Sequence, residues 1–180
     1  MPNNLYLEGP NGIGKTTLAK QLEAQGWKYR HHTVPKHPNR FFMKLGYYLR
    51  EKFTHHCIYD RCWYSEWVYG LEYRNKSVLL QKDLRDLVVF AAKHSSYVIV
   101  FIPEFVRQTA SEILLRSFDE NHPYTPSCSE LADISERYDN ITMHECVVTK
   151  YHLGMKQYAS DVFNVDEFLR KIYGGTGENC

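Results

Sequence analysis

The chain has 180 residues, of which 43% are hydrophobic and 24% charged, and its formal net charge is +1. That length can bury a core within one domain, and the usage is that of a globular protein rather than a disordered or collagenous one. The near-neutral charge gives no overall electrostatic case for a nucleic-acid partner, no apolar run is long enough to cross a bilayer, and Met1-Pro2-Asn3-Asn4 lacks the basic and apolar regions of a signal peptide.

Residues 5–7 form a short apolar strand that runs into a glycine-rich turn. The pattern predicts a helix over 16–25, ended by Gly26, and a strand over 27–34, closed by Pro35 and Pro38. Phe41, Leu45, Tyr48 and Leu49 have helical spacing within 40–52. A third strand over 57–59 leads into Asp60-Arg61, and helices are expected over 63–73 and 79–94. Residues 97–102 are β-branched and aromatic, as in a strand buried on both faces. A helix over 104–116, a polar loop over 117–127, a helix over 130–138, a fifth strand over 146–151 and a closing helix over 165–173 complete the reading. Strands alternating with helices imply a parallel sheet covered on both faces, with ligands at the carboxyl ends of the strands. No repeat or linker divides the chain, so residues 1–180 are expected to form one domain.

Gly9-Pro10-Asn11-Gly12-Ile13-Gly14-Lys15-Thr16 fits the phosphate-binding pattern GxxxxGK[ST], and it lies between a strand and a helix as that pattern requires. Its glycines let backbone N–H groups converge on phosphate oxygens, and the helix that follows adds its positive end. Gly9, Asn11, Gly12, Ile13, Gly14, Lys15, Thr16 and Thr17 are therefore the candidate ATP cradle. Lys15 is expected to bridge β- and γ-phosphates and Thr16 to ligate Mg²⁺.

The second motif is Asp60-Arg61-Cys62-Trp63-Tyr64-Ser65-Glu66-Trp67-Val68-Tyr69-Gly70. An Asp-Arg pair at a strand's carboxyl end, beside a P-loop, supplies a metal carboxylate and a phosphate clamp. Here the chain resembles the thymidylate kinase family, whose signature reads Asp-Arg-Tyr-x-x-Ser-x-x-Ala-Tyr-Gln, and in particular the short thymidylate-kinase-like proteins of bacteriophages. Asp60, Arg61, Ser65 and Tyr69 are in register with it, and Leu7-Glu8-Gly9 is similar to that family and to deoxynucleoside kinases. The resemblance implies a three-layer α/β/α P-loop kinase fold with a five-stranded parallel sheet, helices on both faces and a short lid near 116–127. It implies Asp60 near Mg²⁺, Arg61 on the acceptor's phosphates, Ser65 and Tyr69 lining the acceptor pocket, and a homodimer packed through helices. Arg116, with Arg107 before it, is the candidate for neutralising the transferring phosphoryl group. The chain departs from the family at Asn11, where an acid is usual, at Cys62, which replaces tyrosine, and at Gly70, which replaces glutamine.

Deoxynucleoside kinases place a glutamate just after the second strand. Here residues 33–40 hold no carboxylate but include Lys36, His37 and Arg40. An anionic phosphate acceptor needs no base, so catalysis would be positioning and charge neutralisation. Lys36 and Arg40 are the candidates for gripping it, and Phe42 for stacking on the base. The expected function is ATP- and Mg²⁺-dependent phosphorylation of a deoxynucleoside monophosphate, a pyrimidine such as dTMP or a modified form. A nucleoside, a modified base in DNA held by a patch such as Lys44, Arg50 and Lys52, and a non-catalytic nucleotide-binding role are the alternatives. Five cysteines with no CxxC pair predict a reducing cytoplasm. The spacing of His55, His56, Cys57, Asp60 and Cys62 matches no zinc pattern and is read as a strand with polar flanks.

Overall fold

Strands and helices alternate along the chain, and each strand places successive side chains on opposite faces of one sheet. The computed structural model describes residues 4–31, 39–103, 127–141, 148–153 and 170. Its elements are β1 (Asn4–Glu8), α1 (Lys15–Ala24), β2 (Lys28–His31), α2 (Arg40–Phe53), β3 (Cys57–Asp60), α3 (Trp63–Arg74), α4 (Gln81–Lys93), β4 (Tyr97–Pro103), α5 (Cys128–Asp139) and β5 (Val148–Leu153). The sheet has five strands in the order β2-β3-β1-β4-β5, and every pairing is parallel. This is the expected α/β fold, a parallel sheet flanked by helices.

The pleat sorts the core into two layers. Leu5, Leu7, Ile58, Ile99 and Phe101 pack with Leu18, Ala19 and Leu22 of α1. Tyr6, Tyr59, Val98, Val100 and Ile102 face the other way, against side chains from α2, α3, α4 and α5. Trp63, the first residue of α3, is fully buried, with its ring 4.9 Å from Tyr6 and 5.5 Å from Tyr47. Burying an aromatic of that size contributes about 3 kcal/mol, and it seats the start of α3 on the sheet.

The observed elements shift the expected boundaries by a few residues. Helix α4 begins at Gln81 rather than 79, because the Asp83 carboxylate accepts the Leu80 N–H at 2.9 Å and closes the helix start there. Helix α5 begins at Cys128 rather than 130. Ser127 and Glu130 form a reciprocal capping box in which the Ser127 N–H donates to Glu130 Oε2 at 2.7 Å and the Glu130 N–H to Ser127 Oγ at 3.2 Å. The fifth strand spans Val148–Leu153, two residues later than expected. The predicted helix at 104–116, the lid near 116–127 apart from Ser127 and, residue 170 apart, the closing helix lie outside the described residues.

Topology places the two motifs side by side. β1 lies between β3 and β4, and Leu7 pairs with Asp60. The glycine loop after β1 and the Asp-Arg turn after β3 therefore open at the same edge of the sheet. That edge is where the strand order reverses, the usual position for a ligand in such a sheet.

Candidate active site

The loop after β1 needs glycine for definite reasons. Gly9 has φ +132°, and a Cβ there would sit 2.6 Å from the Phe101 carbonyl oxygen. Gly14, the N-cap of α1, has φ +91°. Ile13 is buried and anchors the loop in the α1-side core, while Thr16 and Thr17 are exposed. Both threonines line an open cleft of about 390 Å³ with Lys20, Gln21 and Ala24.

Lys15 is buried, and its ammonium donates to the carbonyls of Gly9 at 3.0 Å and Pro10 at 2.7 Å. Burial pushes its pKa down to about 8, against the pull of Asp60. The Thr16 hydroxyl donates to Asp60 Oδ2 at 2.7 Å, which joins the two motifs directly. Tyr29 Oη donates to the same oxygen at 3.3 Å, and His31 Nδ1 lies 3.5 Å from it. Burial alone would raise the Asp60 carboxyl. Lys15, the Thr16 hydroxyl, His31 and Arg61 outweigh it and hold the group below the usual carboxylate range. The second oxygen, Asp60 Oδ1, is buried and has no hydrogen-bond partner among the described residues.

That orphaned oxygen and the Thr16 hydroxyl form a small set of hard oxygen donors, which fits Mg²⁺ better than a softer metal. Among the described residues, no three His, Cys, Asp or Glu side chains gather around a point. His56 stacks on Trp27 with ring centroids 4.0 Å apart, and Cys57 and Cys62 are buried in the core.

Arg61 has φ +81°, and its N–H donates to the Leu7 carbonyl at 2.9 Å. Its guanidinium donates to Asn11 Oδ1 and lies 4.8 Å above the Tyr69 ring. Tyr69 Oη donates to the same Asn11 oxygen at 3.3 Å. Asn11 thus turns its carbonyl inward to Arg61 and Tyr69, and its remaining hydrogen-bonding group is the donor NH₂. An acid at this position would have only oxygens to offer. The Ser65 hydroxyl, expected to line the acceptor pocket, is buried between Glu8 Oε2 and, at 3.0 Å, Tyr138 Oη. Gly70 is closely packed: a Cβ there would meet Arg74 Nη2 at 2.7 Å, Ser77 Cα at 3.0 Å and Glu66 Oε1 at 3.1 Å. Any larger side chain would have to disturb the half-buried Glu66–Arg74 ion pair or displace the backbone beyond α3.

Lys15, Thr16, Asp60, Arg61, Asn11 and Tyr69 therefore meet in one hydrogen-bonded and electrostatic group. Arg40 shares no hydrogen bond with them. Its Nε donates to Asp83 Oδ2 at 2.6 Å and its Nη2 to Asp83 Oδ1 at 3.0 Å. Lys44 joins that pair, 3.0 Å from Asp83 and 2.6 Å from Asp86. The Arg40 hydrogen bond outweighs burial of Asp83 and, with the Leu80 N–H and Lys44, holds its carboxyl well below the usual range. Of the basic patch considered for DNA, Lys44 is thus neutralised and Arg50 lies over the rings of Tyr47 and Tyr59. Phe42 is 68% exposed, whereas Met43 and Tyr47 on the same helix are buried. Lys36, His37, Arg107 and Arg116 lie outside the described residues.

Glu8 carries more of the site's bonding than its place before the loop implies. Its signal in the sequence is a carboxylate between an apolar strand and a glycine turn, a position buried by the strand pattern.

No protein-family model matches the chain, and no curated protein resembles it in sequence. Solved structures resemble it in fold. The YorR protein of Bacillus subtilis, in complex with phosphorylated GDP, superposes with a TM-score of 0.69 at 19% identity, over 95% of this chain and 94% of that one. The thymidylate kinase of Candida albicans, described as having broad substrate specificity, gives 0.59 at 13% identity, over 97% and 92%. The deoxyadenosine kinase of M. mycoides with bound dATP gives 0.53 at 14%, over 94% and 99%. This chain has the fold of P-loop nucleoside and nucleotide kinases. Among its described residues, no helix is long and apolar enough to cross a membrane.

Proposed function

We propose that residues 1–180 form a single kinase domain that transfers the γ-phosphoryl group of ATP, with Mg²⁺, to a deoxynucleoside monophosphate. A pyrimidine nucleotide such as dTMP, or a modified form of one, is the first candidate acceptor. One observation carries the reading: two cations, Lys15 and Arg61, donate to neutral oxygens next to Thr16 and Asp60, which are themselves hydrogen-bonded. They can turn to phosphates without breaking a hydrogen bond to a carboxylate. Mg²⁺ held by Thr16 and Asp60 would neutralise charge on the transferring phosphates.

In the proposed reaction an acceptor phosphate oxygen attacks the γ-phosphorus, the bond to the β-phosphate oxygen breaks, and ADP leaves. Lys15 serves the donor phosphates and Arg61 the acceptor phosphate, aligning the two oxygens for displacement. Asp60 is tied to Thr16 and Tyr29, which supports a metal-side role over that of a free base. A phosphate acceptor fits this arrangement, because it brings no proton that must be removed. The NH₂ of Asn11 suits a hydrogen-bond acceptor on the substrate. Lys36, Arg116 and Phe42 keep their proposed roles at the acceptor phosphate, the transferring group and the base.

The outer face of α2 supports a homodimer. Phe41, Leu45, Leu49 and Phe53 recur every four residues and are 67%, 38%, 45% and 69% exposed. An apolar stripe of that kind marks an interaction surface, and Leu45→Glu with Leu49→Glu should convert the dimer to a monomer in sedimentation equilibrium. The exposed free thiol of Cys128 supports a reducing, cytoplasmic setting.

The test is ADP release from ATP and Mg²⁺ with a panel of nucleoside monophosphates, modified pyrimidine nucleotides and the matching nucleosides. Turnover of one or a few deoxynucleoside monophosphates is expected. Turnover of nucleosides alone would move Asp60 to the role of base and overturn the phosphate-acceptor reading.

A further inference from the structure

Glu8 ends β1 and is fully buried, yet the reaction outlined above gives it no task. Its carboxylate accepts from the backbone N–H of Cys62 and of Ser65, each at 2.9 Å, through Oε1. Through Oε2 it accepts from the Ser65 hydroxyl and, at 3.2 Å, from Tyr138 Oη. A buried carboxylate is tolerated when its lone pairs are filled in this way.

The two backbone donors belong to the first turn of α3. Such amides have no partner within their own helix and usually take one from the N-cap side chain. Here the N-cap is Cys62, whose side chain makes no cap hydrogen bond and is buried. A carboxylate from the central strand supplies the cap instead, and its charge suits the positive end of the helix.

Immediately before the cap stands Arg61 in its left-handed conformation, with its N–H on the Leu7 carbonyl. Two consecutive groups of β1, the Leu7 carbonyl and the Glu8 carboxylate, thus grip Arg61 and Cys62 in turn. Tyr138 is bonded to Glu8, and its ring meets Tyr69 edge-on at 6.3 Å. Tyr69 in turn lies beneath the Arg61 guanidinium. Glu8 therefore holds Cys62, the residue next to Arg61, directly, and reaches the Tyr69 ring beneath the guanidinium through Tyr138.

We propose that Glu8 is a positioning residue for the acceptor side: by capping α3 from outside the helix and anchoring Tyr138, it sets where the Arg61 guanidinium stands. The activity readout rests on the phosphoryl-transfer reading above. Glu8→Gln keeps the shape and one acceptor oxygen but puts a donor opposite the hydroxyls of Ser65 and Tyr138. ATP affinity by calorimetry should stay within about twofold, while kcat/KM for the monophosphate falls about tenfold. In an Arg61→Ala background the same substitution should cost less than about twofold more, because the two residues act as a unit. Equal losses in both backgrounds, or an equal loss in ATP affinity, would make Glu8 structural only and overturn the proposal.

If Glu8→Gln does not fold, Tyr138→Phe replaces it in the same cycle, with an expected loss of about threefold that again vanishes without Arg61. A wild-type protein that turns over no monophosphate would refute the monophosphate-kinase reading alone. Glu8 is then judged by amide exchange. Glu8→Gln, or Tyr138→Phe in its place, must speed exchange at Cys62 and Ser65 about tenfold, with α1 unchanged. Unaltered protection there would overturn the assignment.

Discussion

Two pairs of cations stand in this molecule, and they are held in opposite ways. Lys15 and Arg61, at the ends of the central strands, rest on neutral oxygens: the Gly9 and Pro10 carbonyls for one, Asn11 Oδ1 for the other. Arg40 and Lys44, on α2, rest on the carboxylates of Asp83 and Asp86. An ionic hydrogen bond to phosphate is stronger than one to an amide oxygen, so the first pair gains on meeting a nucleotide. Moving Arg40 would take two hydrogen bonds from the buried Asp83 carboxylate, so the second pair gains less. A cation's partner, more than its place near a motif, decides whether it is available to a ligand.

The sharpest break of this comparison is Lys15→Ala, expected to reduce turnover about a hundredfold or more while the protein stays folded. Near-normal turnover would remove Lys15 from the available pair. Arg61→Ala should lower kcat/KM for the acceptor about tenfold or more, with ATP affinity little changed. An unchanged value for every acceptor would remove Arg61 as well.

The pH dependence separates the two pairs. The Lys15 ammonium is depressed to about 8 in the free protein, and a bound triphosphate would raise it. Binding then takes up a proton above that pH, so ATP affinity should be level below pH 7.5 and weaken by up to about tenfold per unit above 8. The same depression means that the unfolded chain binds the extra proton between pH 8 and the ordinary lysine value. The contribution of Lys15 to stability therefore rises with pH across that window. Asp83, held below its ordinary range, contributes stability above the usual carboxylate pKa and loses it only in stronger acid, so the α2–α4 clamp is unaffected across the assay range. A level ATP affinity through pH 9 would show that Lys15 stays charged in the free loop.

The smallest effect is the most discriminating. Arg40→Ala should change acceptor kcat/KM by less than about twofold, since Arg40 is half exposed and engaged by Asp83 rather than by the P-loop group. A tenfold rise in acceptor KM would show that Arg40 leaves Asp83 to take the substrate.

What could be read beforehand was what is local in the chain. The glycine loop, its lysine and its threonine lie within eight residues, and their spacing carries the chemistry. The Asp60-Arg61 turn was legible from its resemblance and its position after a strand. The partners of Arg40 and Glu8 were not, because they lie 43 and 54 to 130 residues away and meet only through helix packing and parallel strand register. Asp83 reads as an ordinary acid in a helix's first turn, and Glu8 as the end of a strand. The helix expected from 130 begins two residues earlier, at Cys128, because the Ser127–Glu130 capping box closes its start there.

The positive φ of Arg61 has an evolutionary side. A side chain other than glycine held in that region costs the fold about 1–2 kcal/mol. A glycine would relieve the strain, yet it would remove the guanidinium that stands above Tyr69. Selection for thermostability alone would therefore drift toward glycine at this turn and yield a sturdier protein without the proposed acceptor clamp.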